Sequence, residues 1–165
     1  MWTGSACPTP VEGVSGDWRE VRTATFTFCV PPLWGPWDAR SGHVWRGQDV
    51  EVRWGTGFGQ QVTTTRERIE LRPGETPDDA ERRMIEESRR ELRETEEEIG
   101  GRRVRLAFNH VNGLYYASAR WREPAVYFNG TARTLRGAAQ AMQVYRTVRF
   151  ATPDSTTRGG SGRQP

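Results

Sequence analysis

The sequence predicts an α+β fold, a mostly antiparallel β-sheet packed by one long helix over residues 77–98 and one shorter helix over 135–146. Three observations predict it. Several segments alternate apolar and polar residues with period two, as half-buried strands do. One stretch opens with the residues that start a helix. The order runs strands, helix, strands, helix, which suits α+β better than repeated βαβ units.

The elements follow in order. In TATFTFCV, Ala24, Phe26, Phe28 and Val30 alternate with Thr23, Thr25, Thr27 and Cys29, which predicts a half-buried first strand. Pro31 and Pro32 end it, because proline cannot donate to a ladder. VWRGQDVEVRW reads as a hairpin, with Val50, Val52 and Trp54 set against Asp49, Glu51 and Arg53. Residues 60–72 read as further extended chain near an edge.

Thr76, Pro77 and Asp79 suit the N-cap, N1 and N3 positions of the long helix. Its apolar stripe is Ala80, Met84, Ser88 and Leu92, with Ile85 and Ile99 beside it. Gly100 and Gly101 are its expected stop, and the ETEEEIG run its wet face. RVRLAF, LYYASARW and AVYFNGTA then form a meander, with NHVNG and Glu123–Pro124 as turns. In the second helix Leu135, Ala138, Ala139, Met142 and Tyr145 make the stripe, before Val148 and Phe150 close the domain. Residues 1–17 read as a tether, 18–150 as one domain and 151–165 as a disordered tail.

With 165 residues, 35% hydrophobic and 27% charged, the chain can bury a core of its own. All 24 basic residues are arginine. Charge is unevenly spread: residues 1–100 carry a balance of −6 and residues 101–165 one of +9. The favoured reading is a basic sheet face covering the acidic helix within one fold, with the aromatics in the core; alternatively an anionic partner of the C-terminal half would meet Arg102, Arg103, Arg105 and Arg122, with Tyr115, Tyr116 and Trp121 as stacking aromatics. The signature of an RNA-binding sheet is absent, so nucleic acid is the weaker reading.

Motifs for catalysis are scarce. His43 and His110 have no second ligand at helical or hairpin spacing, and a zinc set of these two with Cys7 and Cys29 lacks close pairs. GTGFGQQ has Gln60 where a dinucleotide loop needs its third glycine, and extended chain follows it. Asn129–Thr131 fits a glycosylation sequon but falls in a strand. The expectation is therefore a non-enzymatic protein with no metal or cofactor.

Cys7 leaves three readings open. Ser5 and Ala6 precede it as small residues do at a bacterial lipoprotein cleavage site, though Gly4 stands where leucine is usual. Alternatively Cys7 pairs with Cys29, closing a loop that contributes about 3 kcal/mol. Two free thiols in a cytosolic protein are the third. Residues 1–20 hold no signal-peptide apolar stretch, so an export signal would lie upstream of Met1.

WREVRTATFTFCVPPLW resembles the opening of small bacterial envelope proteins of the PsbP-like α+β type, and AAQAMQVYRTVRF resembles their final helix and strand. The likeness covers roughly residues 18–150 and is specific at the two ends. It implies an antiparallel sheet packed by helices and an accessory or binding role at the envelope or periplasm. The Pro/Trp-rich connection with Trp34, Trp37 and Trp45 either offers a partner surface or folds back so that these rings cap the core, and the second is the preferred reading. The other reading is a cytosolic domain with an anionic partner.

Overall fold

Alternation in the second half of the chain builds a long antiparallel meander. In the computed structural model, which describes residue 7 and residues 17–37, 42–57 and 71–151, three strands form it. They are β7 (Arg102–Val111), β8 (Leu114–Arg122) and β9 (Ala125–Ala132). The first turn is Asn112–Gly113, with φ of 53° and 76°; the second is Glu123–Pro124. The other elements are β1 (Arg19–Arg22), β2 (Phe26–Val30), β3 (Gly35–Pro36), β4 (Val44–Arg46), β5 (Val50–Thr56), α1 (Pro77–Glu91), β6 (Arg93–Ile99), α2 (Leu135–Arg146) and β10 (Arg149–Phe150). Seven strands join in one sheet of order β3-β4-β5-β9-β8-β7-β6, and three in another, β1-β2-β10. Every pairing is antiparallel, so the fold is α+β.

Period two sends Val52, Trp54, Val104, Leu106, Ala117, Ala119, Trp121, Val126 and Phe128 to one face of the large sheet, where they are buried. The small sheet and α2 cover that face. Phe26 meets Trp54 edge-on at 5.2 Å, and Phe28 meets Phe128 at 5.2 Å. T-shaped pairs of this kind add to plain area burial because ring edges and faces carry opposite partial charge. β2, the central strand between β1 and β10, is buried on both faces, Thr27 and Cys29 included, with Cys7 disulfide-bonded and Thr147 hydrogen-bonded to Cys29. The expected half-buried strand is thus an interior one, begun at Phe26 after a bend at Thr23–Thr25, and β1 is a strand that the sequence did not announce.

The helix expected over 77–98 ends at Glu91. Its start is as read: Thr76 Oγ1 accepts from the Asp79 amide at 3.2 Å, and Asp79 Oδ2 accepts from the Thr76 amide at 3.3 Å. At the far end the Leu92 amide donates to Ser88 O, and the chain turns extended. Residues 93–99 are the edge strand β6, not a wet helix face. Gly100 and Gly101, at φ 66° and 75°, form the two-residue turn that returns β6 into β7, with Ile99 opposite Arg102. The charged side chains of β6 discourage pairing with another chain at that edge.

Two stripes are rotated from expectation. α1 buries Ala80 and Met84, but Ile85 and Leu92 are exposed. α2 keeps the bounds 135–146 and buries Gly137, Ala138, Ala141, Val144 and Tyr145; Leu135 and Ala139 face water. His110 lies within β7, stacked on Tyr115 at 4.1 Å, and not in a turn. Residues 60–70, most of the tether and nearly all of the tail lie outside the described residues.

Candidate functional site

The second face of the large sheet is only partly covered. Asn109, whose neighbour Phe108 faces the core, donates from Nδ2 to Ser88 Oγ of α1 at 2.8 Å. α1 therefore lies on this second face, at the end near the β7–β8 turn, where Val111 is also buried. Among the described residues no helix covers the other end of the face.

Register sets one row of side chains across that end. Gly55 stands opposite Tyr127, Tyr127 opposite Arg120, Arg120 opposite Arg105, and Arg105 opposite Glu96. Arg122 is two residues beyond Arg120 and shares its face. A Cβ on Gly55 would lie 2.4 Å from the Tyr127 hydroxyl, so its bare backbone lets the Tyr127 ring lie over β5.

Tyr127 separates two hollows. One, of about 190 Å³, is lined by Arg105, Arg120, Arg122, Tyr127 and Gly57. The other, of about 510 Å³, is lined by Trp37, His43, Arg53, Trp54, Thr56 and Tyr127. His43 is held by Trp54, with Nδ1 at 3.1 Å from its carbonyl and the rings 4.1 Å apart. Trp37 is 62% exposed, and the Arg46 guanidinium sits over its ring at 4.5 Å.

The electrostatics of the smaller hollow are one-sided. Arg105 and Arg120 are direct cross-strand neighbours of like charge, an arrangement that costs roughly 0.2–1 kcal/mol. Among the described residues Glu96 is the only acid paired with this group, at 3.7 Å from Arg105 and 3.5 Å from Arg103. Arg120 and Arg122 make no ion pair among the described residues. Three guanidinium groups on one small concavity can hold an oxyanion through forked hydrogen bonds.

The residues expected from sequence are distributed as follows. Arg105 and Arg122 meet at this hollow; Arg103 stands on the same face, tied to Glu96. Arg102 alternates to the opposite face beside Ile99. Trp121 is a core residue and Tyr115 belongs to the core side, so they offer no stacking platform on the arginine face. Trp34 is 2% exposed and Trp45 is half-buried, its Nε1 donating to Gly42 O at 2.8 Å. The tryptophan surface thus reduces to Trp37, because the other two cap the core. Arg120, Tyr127 and Arg53 were missed. Arg120 had a signal, since it and Arg122 flank the buried Trp121 and must share the outer face.

Cys7 Sγ and Cys29 Sγ form a disulfide, 2.11 Å long. Of the three readings of Cys7 the structure holds the disulfide, and neither cysteine is a free thiol. Among the described residues no three His, Cys, Asp or Glu side chains are grouped to hold a metal, and no helix is long and apolar enough to cross a membrane. No protein-family model matches the chain, and no curated protein matches it.

Proposed function

We propose that this chain is a non-enzymatic binding domain of the cell envelope, an accessory factor that works in an oxidising compartment. The Cys7–Cys29 disulfide carries the reading, because such bonds persist outside the reducing cytosol. It joins Cys7 to the central strand of the small sheet. The face with Trp37, Tyr127 and the arginines is the surface offered for binding. The PsbP-like resemblance of the chain's two ends belongs to the same proposal.

The test is the intact mass of the native protein from its own cells, alkylated with and without prior reduction. The expected result is a chain that takes no alkyl groups until it is reduced and then takes two. A chain with two free thiols as isolated would overturn the export reading. A lipid adduct on Cys7 would keep the envelope and remove the disulfide.

The arginine hollow favours a second reading, a domain whose partner is anionic. A long nucleic-acid backbone suits it less well. The three arginines gather on one concavity, while Arg102 faces the other way and Arg146 is tied to Glu97. Steep loss of DNA or RNA binding with added salt would support that partner.

A further inference from the structure

We propose that the hollow formed by Arg105, Arg120, Arg122 and Tyr127 is an oxyanion site. Its ligand carries a carboxylate or phosphate on a flat, apolar body that lies in the adjoining hollow against the rings of Trp37 and Tyr127. The proposal deepens the reading of this chain as a binding domain.

Four observations converge on it. The arginines come from two neighbouring strands and are fixed by register, with Arg105 and Arg120 directly opposite. Their charge is not balanced from within: Glu96 serves Arg103 and Arg105 from the far edge, and Arg120 and Arg122 have no carboxylate among the described residues. The volume of about 190 Å³ suits one anionic head and not a large folded ligand. Finally, the Tyr127 ring is shared by both hollows, held over Gly55, and its hydroxyl makes no hydrogen bond among the described residues. A phenol donor beside three guanidinium forks completes an oxyanion cradle, and its ring begins an aromatic wall.

A ligand bridging the two hollows gains from both. Guanidinium–oxyanion bonds orient the head. Burying a ring against Trp37 and Tyr127 adds about tenfold in affinity over the head alone. Phosphate and carboxylate share the recognition chemistry, and the experiment separates them.

The full-length oxidised protein would be titrated, in chloride-poor buffer, with four probes: inorganic phosphate, phenyl phosphate, acetate and phenylacetate. Arginine side-chain and backbone NMR shifts are the readout. The expected result is saturable shifts centred on Arg105, Arg120, Arg122 and Tyr127, with the phenyl-bearing probe about tenfold tighter than its bare head. Saturation in the phosphate arm assigns a phosphate ligand, and in the carboxylate arm a carboxylate. Arg120→Gln should weaken the binding probe about tenfold or more, while Trp37→Ala should remove the phenyl advantage. Unsaturable shifts spread over all surface arginines, or equal binding by Arg120→Gln, would overturn the site. That result would leave the disulfide and the export reading standing. Arg120→Lys, which keeps the charge and loses the fork, should be weaker than the parent and distinguishes recognition from a general field.

Discussion

The Tyr145 hydroxyl donates a 2.7 Å hydrogen bond to the Ala117 carbonyl, tying α2 to the middle strand of the meander. Burial removes the phenol from water and pushes its pKa far up, so it stays a neutral donor at every ordinary pH. The ring reaches β8 over Gly130, where a Cβ would lie 2.5 Å from the hydroxyl and 3.2 Å from the Ala141 Cβ. Two substitutions separate the bond from the space. Tyr145→Phe should lower the unfolding free energy by about 1 kcal/mol, the net worth of one neutral hydrogen bond. Gly130→Ala should cost more, about 2 kcal/mol, because it overpacks a close contact. Urea unfolding at neutral pH measures both, and an equal or reversed order would contradict this packing.

The disulfide makes a second prediction. Cys7 and Cys29 are 22 residues apart, and closing that loop restricts the unfolded chain. Cys7→Ala should lower stability by about 3 kcal/mol. A reductant should produce the same loss in the parent and none in the variant. If reduction leaves the urea midpoint of the parent unchanged, the disulfide does not contribute to the stability of the fold.

Local pattern made the fold class legible, and long-range pairing hid the rest. The meander and the bounds of α2 follow from alternation and turn residues. β6 does not, because Glu94, Glu96, Glu97 and Glu98 favour a helix locally and carry no apolar period. Its strand state comes from β7, which pairs along all seven of its residues. The signal that could have shown it is the Gly100–Gly101 pair, a hairpin turn flanked by acids on one side and arginines on the other. The candidate site was half legible. Composition pointed to Arg105 and Arg122, but the meeting of Arg105, Arg120 and Tyr127 depends on register across three strands, which no single segment contains.

Acid should weaken the fold through three carboxyl groups. The Arg83 side chain holds Glu75 below its ordinary value, hydrogen bonds from Thr76 do the same for Asp79, and Arg146 does so for Glu97. A lowered folded pKa means that the unfolded state binds protons first as pH falls. The stabilisation is therefore complete above the unfolded values and is lost as pH drops through the folded ones. Urea midpoints should be level near neutrality and fall below about pH 5. Glu97→Gln removes the tie between β6 and α2 and should make that fall shallower. An unchanged slope in this variant would place the acid sensitivity elsewhere.

The facing pair Arg105 and Arg120 predicts that stability and binding move in opposite directions. Arg120→Glu exchanges a like-charge cross-strand neighbour for an opposite one, beside the second arginine Arg122. The variant should gain about 0.5 kcal/mol in low salt, and the gain should shrink as salt is added, because these side chains are exposed and screened. The same change places a carboxylate in the oxyanion hollow and should abolish binding of both phosphate and carboxylate probes. A residue kept at a small cost to the fold is the mark of a site held for a ligand. Loss of stability in Arg120→Glu would show instead that the arginine supports the sheet through its aliphatic stem, and the hollow would then be a by-product of packing.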